Sequence, residues 1–128
     1  MKVAIVGSRR HPNKQQIVDY VNSLPIDTVV VSGGAEGVDL GVEEIAKARG
    51  MQYEIHYPDK SSWSSLSYYE MCERYYERNK KIVENSDKIV AFIMEDMRGG
   101  TMSTVKWAKK LKKPYELIYP ERSNENYF

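Results

Sequence analysis

The stretch VVVSGGAEGVDLGVEEIAKARG, Val29 to Gly50, restricts the possible folds more than any other part of the chain. Three consecutive valines suit a strand covered on both faces, because a strand with one wet face would alternate apolar with polar residues. The segment beyond the glycines is helical in pattern. Leu40, Ile45 and Ala48 fall near one face, Glu43, Glu44, Lys47 and Arg49 point outward, and Gly50 ends the segment. A strand passing into a helix through Gly33 and Gly34 leaves little room for a loop. The unpaired N–H groups and partial positive charge of a helix start then meet bare backbone, which suits an anion.

The same alternation runs through the rest of the chain. KVAIVG, MQYEIHY, DKIVAFIM and PYELIY read as further strands, and PNKQQIVDYVNSL, EMCERYYERNKKIVENS and MSTVKWAKKLKK as further helices. Strands and helices in this order predict an α/β fold, a three-layer Rossmann-like sandwich. Its five-stranded sheet is mostly parallel, in the order 3-2-1-4-5. Growth of such a sheet reverses between the first and fourth strands, and ligands bind in the crevice beyond the strand ends there. GSRR at Gly7 follows the first strand, SGGAEGVD the second and RGGT the fourth, so the three small-residue turns converge on that crevice.

A chain of 128 residues fits one domain, read here as 1–120, with the polar segment 121–128 as a loosely held tail. Its formal charge of +1 gives no global attraction to nucleic acid or to an anionic membrane. With Cys72 alone, no intrachain disulfide forms, and His11 and His56 lie too far apart in sequence to suggest metal-ligand spacing, so neither metal nor cofactor is expected. MKVAIVG is too short and too β-branched for a signal peptide, and no apolar run could span a bilayer; a cytoplasmic location is expected.

Several residues carry candidate chemistry. The GxGxxG fingerprint is absent after the first strand, where GSRRHP stands, and a Walker lysine is missing, which disfavours ordinary dinucleotide or P-loop binding. Arg9, at a strand end beside a glycine turn, can fork onto a phosphate. Asp39 suits either a ribose or the helix dipole, and Glu36 either sugar hydroxyls, a base role or plain exposure. The adjacent pairs Tyr68–Tyr69 and Tyr75–Tyr76 on one helix should each place one ring inward and leave the other to stack on a base or on a second subunit. The lysines of KWAKKLKK read as a solvated face rather than a phosphate track.

Taken in order, VAIVGSR, VVSGGAEGVD, ERNKKIVENSDKIVAF and GGT resemble the SLOG superfamily, which includes the DNA-processing Smf proteins and the cytokinin-activating LOG enzymes. The likeness points to its small stand-alone YspA/YpsA-related branch and covers about Lys2 to Ile118. It implies a Rossmannoid fold that binds nucleotides or nucleotide-derived ligands at the strand ends, often as a homodimer. Carried over by position, it implies a ligand at Gly7, Ser8, Arg9, Gly33, Gly34, Ala35 and Asp39. Arg78, Asn79, Gly99, Gly100 and Thr101 would close the site. LOG enzymes carry a PGGxGTxxE pattern; here Arg98 precedes the glycine pair and Thr104 stands where the glutamate would be. A threonine supplies no carboxylate for a developing oxocarbenium ion or its proton.

The sequence therefore predicts a domain that binds or senses a phosphoribosyl or ADP-ribose-like ligand, with no catalytic residue assigned. The alternative is a nucleoside monophosphate phosphoribohydrolase that uses Glu36, Glu95 or Asp96 in place of the missing glutamate. Single-stranded DNA binding has the weakest support, because only the lysine helix would supply its groove.

Overall fold

The computed structural model describes residues 1–7, 14–33, 38–93 and 100–119 of the chain. Its elements run β1 (Lys2–Gly7), α1 (Lys14–Ser23), β2 (Val29–Ser32), α2 (Val38–Arg49), β3 (Tyr53–Ile55), a 3-10 turn (Trp63–Ser65), α3 (Tyr68–Glu84), β4 (Lys88–Phe92), α4 (Gly100–Lys110) and β5 (Tyr115–Ile118). All pairings are parallel and the strand order is β3-β2-β1-β4-β5, as the sequence predicts.

Strand alternation divides the core between two faces. Val3, Ile5, Val30, Val90 and Phe92 meet Ile17 and Val21 of α1 and Val42 and Ala46 of α2. Ala4, Val6, Val31, Ile89, Ala91 and Ile93 meet Ile82 and Val83 of α3 and Val105 and Ala108 of α4. The central strands are apolar toward both helical layers because both layers cover them.

Two expectations about α2 need correction. Its buried stripe is Val42 and Ala46, with Ile45 beside them, whereas Ala48 is exposed. Arg49 turns back toward α1, and its Nη1 donates to the carbonyl oxygens of Val21 at 2.7 Å and Leu24 at 3.2 Å. The guanidinium thereby satisfies end-of-helix acceptors that would otherwise need water. Gly50 does end α2, with φ of +73°, a conformation that a β-carbon disfavours.

Helix α3 begins with a capping box. Ser67 Oγ accepts from the Glu70 amide and Glu70 Oε1 accepts from the Ser67 amide, each at 3.2 Å. Among the described residues no helix is long and apolar enough to cross a membrane.

Candidate functional site

Because all five strands are parallel, the carboxyl ends of β2, β1 and β4 lie side by side on one edge of the sheet. Gly7 closes β1 opposite Phe92 of β4, Gly33 directly follows β2, and α2 and α4 start from the same edge. The reversal of sheet growth, between β1 and β4, is where an α/β sheet opens a ligand crevice. Of the candidate ligand residues, Gly100 and Thr101 form the first turn of α4, and the backbone of Asp39 lies in the first turn of α2. Ser8, Arg9, Gly34, Ala35, Glu36 and Gly99 lie outside the described residues, as do Glu95, Asp96 and the tail 121–128.

Helix α3 reaches this edge through Arg78. Its Nη1 donates at 2.8 Å to the Gly33 carbonyl and its Nε at 3.0 Å to Oδ1 of Asn79, while the guanidinium carbon stands 5.6 Å from the Tyr75 ring centre. Asn79 itself is buried. Arg78 is thus a clamp on the end of β2 as well as a cation beside the crevice.

Tyr75 continues the chain of contacts outward, packing edge-to-face on Trp63 at 5.8 Å. The segment that carries Trp63 is tied to α3 by Arg74, whose Nη1 donates to the carbonyls of Asp59 at 2.7 Å and Ser61 at 3.3 Å. The Ser61 amide and hydroxyl, and more weakly Arg74, hold the Asp59 carboxyl below its usual range.

The tyrosine pairs behave differently from one another. Tyr75 packs and Tyr76 is outward, as the helical register predicts, but Tyr68 and Tyr69 are both outward, at 83% and 71% exposure. Buried residues of α3 begin only at Asn79, so its first turns have no core beneath them to receive a ring.

A group that the sequence motifs do not mark stands where β3 ends beside β2. The His56 amide donates at 2.9 Å to the Ser32 carbonyl, one residue before the carbonyl that Arg78 clamps. Its Nε2 meets Oε2 of Glu54 at 2.8 Å, and Oε1 of Glu54 meets Lys2 Nζ at 3.2 Å. The hydrogen bond from His56, followed by the contact with Lys2, holds the Glu54 carboxyl below its ordinary value against the opposing effect of burial. The signal available in sequence was Glu-x-His at a strand's carboxyl end, the spacing that puts both side chains on one face.

Thr104, at the position of the LOG glutamate, is buried at 1% exposure within α4. The Ser32 hydroxyl is wholly buried and has no hydrogen-bond partner among the described residues.

A family model for the circularly permuted YpsA SLOG family matches residues 30–127. The chain belongs to that family. No curated protein matches it. Among solved structures, DNA processing protein A (DprA) from Streptococcus pneumoniae is similar over 96% of this chain with a TM-score of 0.73 and 18% identity. The chain spans about half of that protein, 51% of its length. The structural genomics target TM1055 is similar over 89% of this chain and 71% of its own, with a TM-score of 0.62 and 19% identity. At these identities the two structures share the SLOG chain's fold, and the Rossmann-like sandwich is common to all three.

Proposed function

We propose that this SLOG domain binds a nucleotide-derived small molecule, a phosphoribosyl or ADP-ribose-like compound, along the carboxyl edge of β2, β1 and β4. The observation that carries the reading is the adjacency of those strand ends at the reversal of the sheet, with α2 and α4 beginning beside them. The phosphate belongs at the helix starts and Arg9, where backbone N–H groups and a guanidinium favour an anion. The ribose belongs near Asp39 and Thr101, and the base toward Tyr75. The Ser32 hydroxyl, unpartnered among the described residues, supports a polar ligand nearby, since a buried hydroxyl without a partner is costly.

Nucleic-acid binding along α4 is less favoured. Lys80 and Lys110 lie 5.2 and 5.0 Å from the centre of the Trp107 ring, and Lys109 lies 5.7 Å from that of Tyr115. The lysines are therefore laid over the rings that a base would need for stacking.

A thermal-shift screen over nucleoside monophosphates, ribose 5-phosphate and ADP-ribose tests the reading. A compound at a hundredfold its Kd should stabilise the fold by about 2.7 kcal/mol. No shift with any phosphoribosyl compound counts against the proposal, and a polynucleotide affinity falling steeply with salt would favour DNA instead.

A further inference from the structure

We infer that the segment between β3 and α3 is a strap that holds Arg78 ready for the ligand and is itself held down once the ligand is bound, with Trp63 and Arg74 as its positioning residues. The inference rests on the proposed ligand and adds to it a way for occupancy to be reported at the protein surface.

Both ends of the strap are fixed to the strand ends. At its start the His56 amide donates at 2.9 Å to the Ser32 carbonyl, the last of β2. At its far end α3 returns to the next carbonyl, that of Gly33, through Nη1 of Arg78 at 2.8 Å. Helix α3 begins at Tyr68 and runs from this edge toward the start of β4, so the residues before Arg78 stand beyond the end of β2. At 1.5 Å of rise per residue that projection is about 15 Å.

Little secures the projecting part. From Gln52 through Arg78 no residue is buried, so no hydrophobic core lies beneath the strap or the first turns of α3. A short series of contacts holds it instead. Nη1 of Arg74 donates to the carbonyls of Asp59 and Ser61 and lies 3.3 Å from Oδ2 of Asp59. Trp63 packs on the edge of Tyr75 at 5.8 Å, and Tyr75 in turn faces the Arg78 guanidinium at 5.6 Å. Ser62, just before Trp63, has φ of +57°, which a residue with a β-carbon adopts only where its surroundings impose it.

These contacts define a docked and an undocked state. When the strap is docked, Trp63 supports Tyr75, and Tyr75 keeps the Arg78 fork at the end of β2. When it is undocked, the ring beside Arg78 is free to turn away. An anionic ligand binds the docked state more tightly, because a cation already in position costs less to engage. Such coupling is reciprocal: docking raises ligand affinity and the ligand raises docking by the same factor.

Trypsin reads the strap directly, because Lys60 is exposed within it. Cleavage after Lys60, followed by mass spectrometry on the full chain, tracks the undocked fraction when docking is fast. Without ligand, Trp63→Ala should speed that cut about twofold to tenfold, the effect of losing an aromatic pair, whereas Trp63→Phe keeps a ring on Tyr75 and should not. Lys60 Nζ lies 5.5 Å from the Trp63 ring centre, so Arg74→Gln, which leaves that ring in place, must speed the cut as well. That variant also decides if Trp63→Ala melts early. The probes for coupling are the nucleoside monophosphates, ribose 5-phosphate and ADP-ribose of the thermal-shift screen. A saturating probe should slow the cut about fivefold or more, and Arg74→Gln should raise the Kd of that probe by a comparable factor. Unchanged cleavage in Arg74→Gln overturns the strap whatever the protein binds. A probe that shifts the melting temperature without slowing the cut overturns the coupling and leaves ligand binding standing. No shift with any probe removes both.

Discussion

Nη1 of Arg78 donates a 2.8 Å hydrogen bond to the carbonyl of Gly33, 45 residues earlier in the chain. A lysine would keep the charge but lose the planar fork that also holds Asn79. Arg78→Lys is expected to cost about 1 to 3 kcal/mol of stability, the range for a buried acceptor losing a charged donor, and to weaken nucleotide binding. Chemical denaturation and a ligand titration on the same variant check both parts.

Arg9 should act on the ligand alone. Arg9→Ala is expected to weaken binding of phosphorylated ligands while leaving the melting temperature nearly unchanged, because in the proposed reading Arg9 contributes charge to a phosphate rather than packing. A variant that unfolds while its folded fraction binds normally would make Arg9 structural.

The capping box at Ser67 gives a test of local structure. Ser67→Ala removes the acceptor for the Glu70 amide and should destabilise the fold by about 1 kcal/mol. The effect should show as a lower melting temperature, with binding at the strand edge preserved.

The outward rings of Tyr68, Tyr69 and Tyr76 on α3 suit a second copy of the chain, since a tyrosine covers apolar area while its hydroxyl stays wet. Light scattering should give a dimer mass that Tyr69→Glu combined with Tyr76→Glu reduces to the monomer. A monomer at every wild-type concentration would remove this interface.

Tyr20 supplies a pH signature. Burial first, and then the carboxylate of Glu116, raise its phenol from 10.0 to about 12. The fold thus favours the neutral phenol, and the stability this contributes is present below the unfolded value and lost as pH rises through about 12. Ultraviolet titration of the phenols should show a late component that disappears in Tyr20→Phe.

Much of this structure can be read before folding. Val29 to Val31, Val3 to Val6 and Ile89 to Phe92 are apolar without alternation, which identifies the central strands, and the order of the elements fixes the topology. Register on helices is harder. Ala48 fits an apolar stripe on paper but lies outward, because α2 meets the sheet through Val42 and Ala46. Tyr68 and Tyr69 escape burial for a reason absent from local sequence, the lack of any core beneath the first turns of α3. Ser67 and Glu70 display the S-x-x-E spacing, a start signal legible in the chain although the apolar periodicity only begins later. The Arg78 clamp is invisible in sequence, since it exists only where α3 meets the end of β2, 45 residues earlier in the chain.

The central place of β1 has a consequence for the order in which the protein is assembled. One edge of β1 pairs with β2, but the other pairs with Lys88–Phe92, and the Lys2 amide donates at 2.7 Å to a carboxylate oxygen of Asp87. During synthesis β1 therefore waits with one row of backbone N–H and C=O groups unpaired until β4 has left the ribosome. The first half, β1 through β3, can form its pairings early, while the crevice between β1 and β4 closes only when β4 docks. The edge proposed to bind the ligand is thus among the last features to exist, and a chain interrupted before β4 would expose an open strand in its place.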